Sequence, residues 1–324
     1  MSLTNPFRIT VFALIVGLLL DKAVHVHFSS GWHAQLDDIL VPAVDIQAQS
    51  LDRKSGHPMD ISSARCRNWD TTRAENGGIS MRGNSYLTSL LQHNIHLTHR
   101  FQHVFGNYTD FFRMTFTRFF KPNEEIERRL SGFRAMHNLG EKIVIGLHIR
   151  SGGDFRKPMT DKDWIQFRDC AEVMTTRVKN RKSKHGVNVD NQDVVWLVVT
   201  DTQDARNRST KEFSRNTHEA DVLFYDNFLA SNTKQGVQNA FMDMLLVTFA
   251  DARVLTPCSS YSEFAYVMSG ATGDSVFVKS SRVDGPRTCY HKTEEVGHPF
   301  CFRPHSLEPS FEELQDMLKK PCPK

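Results

Sequence analysis

The sequence has no Cys-x-x-Cys pair, no Gly-x-Gly-x-x-Gly turn and no P-loop. The first absence argues against a zinc ribbon or a dithiol redox motif, and the other two remove the commonest dinucleotide and triphosphate cradles. A strong charge of one sign is missing too: 40 Lys and Arg stand against 37 Asp and Glu, a formal balance of +3. That balance does not call for nucleic acid, and it suits a small anionic ligand held at a local basic site. No apolar run reaches the roughly 20 residues of a full bilayer span.

The longest apolar run is "ITVFALIVGLLL", residues 9–20, between Arg8 and Asp21-Lys22. Its length fits a signal-peptide core. No small-x-small cleavage site follows in "LLLDKAVHVHF", so a short uncleaved anchor extended by Ala23 to Phe28 is the equal alternative, and a buried N-terminal helix the third. We take residues 1–28 as a signal anchor or signal peptide. Either membrane-directed reading sends the rest of the chain into the secretory pathway. Asn107-Tyr108-Thr109 and Asn207-Arg208-Ser209 match glycosylation sequons. Six cysteines, Cys66, Cys170, Cys258, Cys289, Cys301 and Cys322, form an even set suited to an oxidising lumen. Their pairing is not readable, and Cys170 and Cys258 sit in apolar contexts that suit free core thiols.

With 324 residues the chain is long for one core and points to two lobes. Residues 29–80 are polar and broken by Gly and Pro, which reads as a stem with irregular loops. Residues 81–140 read as a smaller, mostly helical N-terminal lobe on the acceptor side, with a helix start at Pro122-Asn123. His93, His96, His99 and His103 recur there at helical spacing. No carboxylate partner completes a ligand set, so they are read as a helix face and not as a metal site.

From residue 141 to 324 the pattern changes. "IVIGLHI", "VVWLVVT", "DVLFY", "ARVLT" and "SVFV" are apolar throughout and alternate with helical segments. The first helix, "DKDWIQFRDCAEVMTTRV", is capped by Thr160 or Asp161. The third, "GVQNAFMDMLLVTFA", sets Val237, Phe241, Met244 and Leu245 on one face. Strands of this kind form a parallel sheet covered on both sides. The expectation is an α/β, Rossmann-like, doubly wound domain with a Cys-bearing C-terminal tail.

Ligands of such sheets bind beyond the carboxyl ends of the strands. The first strand ends in His148-Ile149-Arg150, and alternation puts His148 and Arg150 on one side. Arg150 can fork two donors to a phosphate, His148 can hydrogen-bond a base or phosphate, and Gly152 and Gly153 let backbone approach a ligand closely. The second strand ends in Thr200-Asp201, a carboxylate able to accept from a nucleobase or a sugar hydroxyl. The fourth opens into "TPCSSYSEF", where Ser259, Ser260, Ser262 and a helix start make an anion site. Together they describe a binder of a nucleoside diphosphate. "DKD" at 161–163 matches an Asp-x-Asp metal pattern, but it follows a proline loop and reads as a helix start.

"IGLHIRSG", "WLVVTDTQDA" and "ARVLTPCSSYSEFAYVMSG" resemble the three motifs of the fucosyltransferase superfamily that makes α1,2, α1,6 and protein O-fucose linkages. The plant xyloglucan type is the nearest likeness. "SEFAYV" is similar to its Ser-Thr-Phe-Gly-Tyr-Val helix start, "RFFKPNEEI" to its Phe-x-Pro segment and "GHPFCFRPHSLEP" to its C-terminus. The likeness spans roughly residues 118–310, most strongly 143–270. It implies a GT-B-like architecture, GDP-fucose as donor in the C-terminal lobe, inverting transfer, no metal and no further cofactor. It also implies a glycan or glycoprotein acceptor, and a single-pass Golgi membrane protein with a lumenal catalytic domain, or a secreted one. Carried over by position, Arg150 holds the diphosphate, His148 approaches the nucleotide, Asp201 reads the guanine, and Ser259, Ser260 and Ser262 grip the β-phosphate. Asp154 is the first candidate for general base and Glu263 the second. Two positions depart from the pattern, Ser151 where several relatives have a second arginine and Glu263 in place of a small hydroxyl residue, and a related transferase using another nucleotide sugar or an inactive sugar-binding relative stay open as alternatives.

Overall fold

The computed structural model describes residues 39–42, 57–58, 81–82, 96–105, 111–151, 159–189, 193–225, 233–257, 259–270, 274–278 and 289–290. Residues 1–28 lie outside them. Among the described residues no helix is long and apolar enough to cross a membrane. The chain divides into two compact units, Met1–Lys121 with Phe302–Lys324, and Pro122–Cys301.

In the first unit, α1 (Thr98–Phe105) buries Phe101 and Phe105, whose rings lie 4.9 Å apart. It is followed by α2 (Phe111–Phe119) and β4 (Phe120–Pro122). Phe116 and Phe120 are buried and in contact at 5.5 Å. Short strands β1 (Leu40–Pro42), β2 (His57–Pro58) and β3 (Met81–Arg82) form two small ladders, β1 with β4 and β2 with β3. The stretch read as a loop-rich stem therefore contributes two strands. Their two or three residues are too few for a periodicity to register.

The second unit opens with α3 (Glu124–Met136), capped by Asn123, whose side chain accepts from the Ile126 N–H at 2.9 Å. Three glutamates in its first turn complement the helix dipole. This helix packs on a later helix of the same unit, which begins at Pro122.

A six-stranded sheet forms the centre: β5 (Ile143–Ile149), β6 (Val194–Thr200), β7 (Asp221–Leu223), β8 (Ala252–Leu255), β9 (Ser275–Val278) and β10 (Cys289–Tyr290). The order is β10-β9-β8-β5-β6-β7, parallel except for β10. All seven residues of β5 are buried, as a strand covered on both faces requires. The connecting helices are α4 (Asp161–Lys184), α5 (Gln203–Phe213), α6 (Lys234–Phe249) and α7 (Ser260–Met268). Helices α4 and α5 pack on each other, and α6 packs on α7 and α3. A Thr160–Asp163 capping box starts α4, which settles the cap on Thr160 and gives Asp163 of "DKD" a capping task. Asp161 pairs with Arg208.

Helix α6 is buried almost all round, from Gly236 to Thr248, rather than on the one face its spacing implied. The sheet lies on one side of it, and α3 and α7 cover others. It approaches β5 closely at Gly146, where a Cβ would stand 3.1 Å from Ala250 Cβ and 3.2 Å from Val247 Cα. Its end is closed by Arg253, whose Nη2 donates to the carbonyls of Thr248 at 2.5 Å and Ala250 at 2.8 Å. Burial lowers the pKa of Arg253 to about 10.

Cys170 is not a free thiol. It forms a disulfide with Cys289 that ties α4 to the edge strand β10, with Cα atoms 5.7 Å apart. Cys258 lies outside the described residues. Of the sequons, Asn107 also lies outside them, and Asn207 is on α5 with Ser209 fully buried and donating to the Ala205 carbonyl at 2.7 Å.

Candidate functional site at the switch of the parallel sheet

The chain leaves β5 toward β6 and β7, then returns to the other side of β5 as β8 and β9. Between β5 and β8 the winding reverses. A crevice at such a point is where open α/β sheets bind ligands. The strand ends that flank it carry His148, Arg150 and Thr256.

The two ends are sewn together by Thr256. Its hydroxyl donates to the His148 carbonyl at 2.7 Å and accepts from the Arg150 N–H at 2.9 Å. On the other flank, Asp201 follows β6. Its Oδ1 accepts from the Ser151 N–H at 2.9 Å and from the Ser151 hydroxyl at 3.0 Å. Its Oδ2 lies 3.5 Å from Arg150 Nε. The Arg150 side chain is 36% exposed and is paired at Nε, with no partner for its two Nη groups among the described residues. Ser151 thus works as the holder of Asp201.

His148 and Ser262 meet each other. Nδ1 lies 2.6 Å from the Ser262 hydroxyl, and both side chains are buried. The His148 ring also stacks on Tyr261, centroids 4.4 Å apart and planes 18° apart. Burial raises the Tyr261 phenol well above its ordinary pKa, with Asp243 adding to the effect. The phenol is therefore a constant donor, and it gives its proton to the Ala240 carbonyl of α6 at 2.9 Å.

Helix α7 begins at Ser260 with Ser259 as its N-cap. The Glu263 N–H is the first to find an intrahelical acceptor, the Ser259 carbonyl at 2.9 Å. The amides before it have no acceptor within the helix. Ser259 makes no side-chain cap. Its hydroxyl is 2% exposed and has no hydrogen-bond partner among the described residues. An orphaned buried hydroxyl costs free energy unless a ligand or water completes it. Glu263 is 5% exposed in the same turn.

The structure thus brings Arg150, Asp201, Ser259 and the head of α7 to three neighbouring strand ends, β8, β5 and β6. It turns His148 and Ser262 inward as a pair. Gly152 and Asp154 lie outside the described residues, and of Ser260 only its place as the first residue of α7 is described. Sequence reasoning passed over Thr256, Tyr261 and the clamping role of Ser151. Thr256 and Ser151 are hydroxyls within one or two residues of a strand end, a signal that was there to read. A second polar group that it missed joins α3 to α6: Arg129 donates to the Tyr225 hydroxyl at 2.8 Å and to the Asn239 side-chain carbonyl. Among the described residues no His, Cys, Asp and Glu gather as a metal cluster. His96, His99 and His103 of the helical repeat are exposed.

Neither a protein-family model nor a curated protein matches the chain by sequence. Solved structures do match by shape. A variant of Arabidopsis thaliana FUT1 in complex with GDP superposes with a TM-score of 0.60 at 12% identity, covering 89% of this chain and 71% of that one. The NodZ α-1,6-fucosyltransferase, an enzyme from Bradyrhizobium, was co-crystallised with GDP and superposes with a TM-score of 0.50 at 12% identity, covering 85% of this chain and 91% of that one. The chain has the α/β, Rossmann-like fold of these fucosyltransferases.

Proposed function

We propose that this chain is a glycosyltransferase that moves fucose from GDP-fucose to a glycan hydroxyl, with inversion and without a metal ion. The observation that carries this reading is the orphaned Ser259 hydroxyl at the head of α7, which follows β8, while Arg150 follows the neighbouring strand β5. In this reading the buried unsatisfied donor, the first amides of α7 and the Arg150 guanidinium would together cradle phosphate oxygens. The shared fold adds support, because both neighbours were crystallised with GDP.

In this reading the acceptor oxygen attacks the anomeric carbon, the bond from that carbon to the β-phosphate oxygen breaks, and GDP departs with the electron pair. Arg150 and the α7 amides stabilise the charge that grows on the diphosphate, an effect that lowers the barrier because it is largest in the transition state. The acceptor proton passes to a carboxylate, Asp154 in the loop after β5 or Glu263 in the first turn of α7. Residues 1–28 act as a Golgi anchor with the catalytic part in the lumen. The disulfide between Cys170 and Cys289 suits that oxidising compartment.

The test is incubation of the full chain with GDP-fucose and a panel of glycans and glycopeptides, read by mass spectrometry. Addition of one deoxyhexose to an acceptor is expected. Transfer from a UDP-sugar instead, or no GDP-fucose consumption with any acceptor or with water, contradicts the reading. Asp154→Asn should slow transfer far more than it weakens GDP binding, and if it does neither, Glu263→Gln is next.

A further inference from the structure

We infer that Tyr261 is a positioning residue for nucleotide binding, fixing the His148 imidazole by its ring and tying it to α6 by its hydroxyl. The inference rests on the reading of the rim given above and adds to it a residue to which that reading gave no role. His148 is restrained twice, on its face by the Tyr261 ring at 4.4 Å and at its edge by Ser262 at 2.6 Å. A flip of the imidazole would set a carbon against the Ser262 hydroxyl and lose that bond, so face and edge together select one ring orientation. Tyr261 is itself immobilised, since its hydroxyl donates to the Ala240 carbonyl. Ala240 follows Asn239, which receives Arg129 from α3. One turn of α6 therefore anchors both the stacked pair and the arginine of α3. Tyr261 is also in the first turn of α7, beside the amides proposed to meet the phosphate. Loosening it loosens the imidazole and that turn together.

Two substitutions separate its parts. Tyr261→Phe keeps the ring and loses the hydroxyl, whereas Tyr261→Leu loses the stack. Calorimetry of the full chain should find GDP affinity within about threefold of the parent for the first and weakened about tenfold for the second. The KM for GDP-fucose should rise with it while kcat changes less. In a His148→Asn background Tyr261→Leu should add no further loss, because the tyrosine acts through the imidazole. A merely structural role gives additive losses instead. Ser262→Ala removes the edge restraint and should shift affinity in the same direction, which keeps the test open if Tyr261→Leu fails to fold.

Imidazole nitrogen NMR on the ligand-free protein, with the His148 signal assigned by His148→Asn, reads the restraint without any nucleotide. That signal should move in Tyr261→Leu and stay in Tyr261→Phe. An unmoved signal with unchanged GDP affinity in Tyr261→Leu, or additive loss in the double variant, overturns the inference. If the parent chain does not bind GDP, the proposed function and the nucleotide part of this inference fall together, and the imidazole signal then decides the positioning alone.

Discussion

Asp201 holds Arg150 by Nε, 3.5 Å from its Oδ2, and is itself held by Ser151 through two donors on Oδ1. The three residues form a chain of restraint that ends at the Arg150 guanidinium. Their side chains are partly exposed, so the ion pair contributes at most about 1 kcal/mol to folding. Its value lies in orientation. Asp201→Ala should leave the melting temperature nearly unchanged and weaken GDP binding about tenfold, with Ser151→Ala acting in the same direction but less. Calorimetric titration beside a thermal melt checks both halves. A melt that collapses with affinity intact would assign Asp201 to the fold alone.

Ser259 makes the opposite kind of prediction from an ordinary capping serine. Removal of a used N-cap costs roughly 1 kcal/mol of stability. The Ser259 hydroxyl has no partner among the described residues, so Ser259→Ala should be neutral or slightly stabilising in the ligand-free protein. With GDP present it should lose affinity by about tenfold. A destabilised ligand-free variant would show that the hydroxyl already has a partner.

Gly146 tests the packing that sets the rim. Backbone stands in the way of a side chain there, because Val247 Cα would lie 3.2 Å from the new Cβ. Gly146→Val should destabilise the protein by about 1–3 kcal/mol, the usual range for overpacking. Chemical denaturation measures it, and an unchanged midpoint would mean that α6 moves aside freely.

The Cys170–Cys289 bridge closes a span of 119 residues. Replacing both by Ser should cost on the order of 2–4 kcal/mol while GDP affinity, if the fold persists, stays as it was. Denaturation with and without reductant checks the first part.

Tyr261 sets an alkaline limit. Its folded pKa is raised by burial, whereas the unfolded phenol ionises near its ordinary value of 10.0. The folded state therefore binds the proton more tightly, and this contribution to stability, complete below about pH 10, is lost as pH rises beyond it. Arg253, lowered by burial to about 10, acts in the reverse sense above that pH. Comparing the parent with Tyr261→Phe isolates the tyrosine. The variant should lose less stability between pH 9.5 and 11 on the order of one titrating group, and identical slopes would contradict the burial argument.

The sheet was legible because its two central strands are almost wholly buried: "IVIGLHI" and "VVWLVV" carry almost no polar residues. Thr160 and Asn123 announced their helices through local chemistry that needs no tertiary information. What the sequence hid depends on contacts distant along the chain. Cys170 looks apolar because the disulfide is buried, and nothing near it points to Cys289. The one-face pattern of α6 gave no warning that other elements cover its remaining faces. Asp201, His148 and Ser262 were placed at the correct strand ends and helix start, but their partners were not foreseen. Strand alternation fixes which way a side chain leaves the backbone, while rotamers and neighbours decide what it meets.

The central claim is that the rim at the β5–β8 switch clasps a guanosine diphosphate through Arg150. Isothermal titration of the full chain with GDP, repeated with Arg150→Ala, tests it most directly. Saturable heat with a Kd on the order of micromolar, abolished in the variant, is the predicted result. No saturable heat from the parent chain, or the same affinity in both proteins, would contradict it.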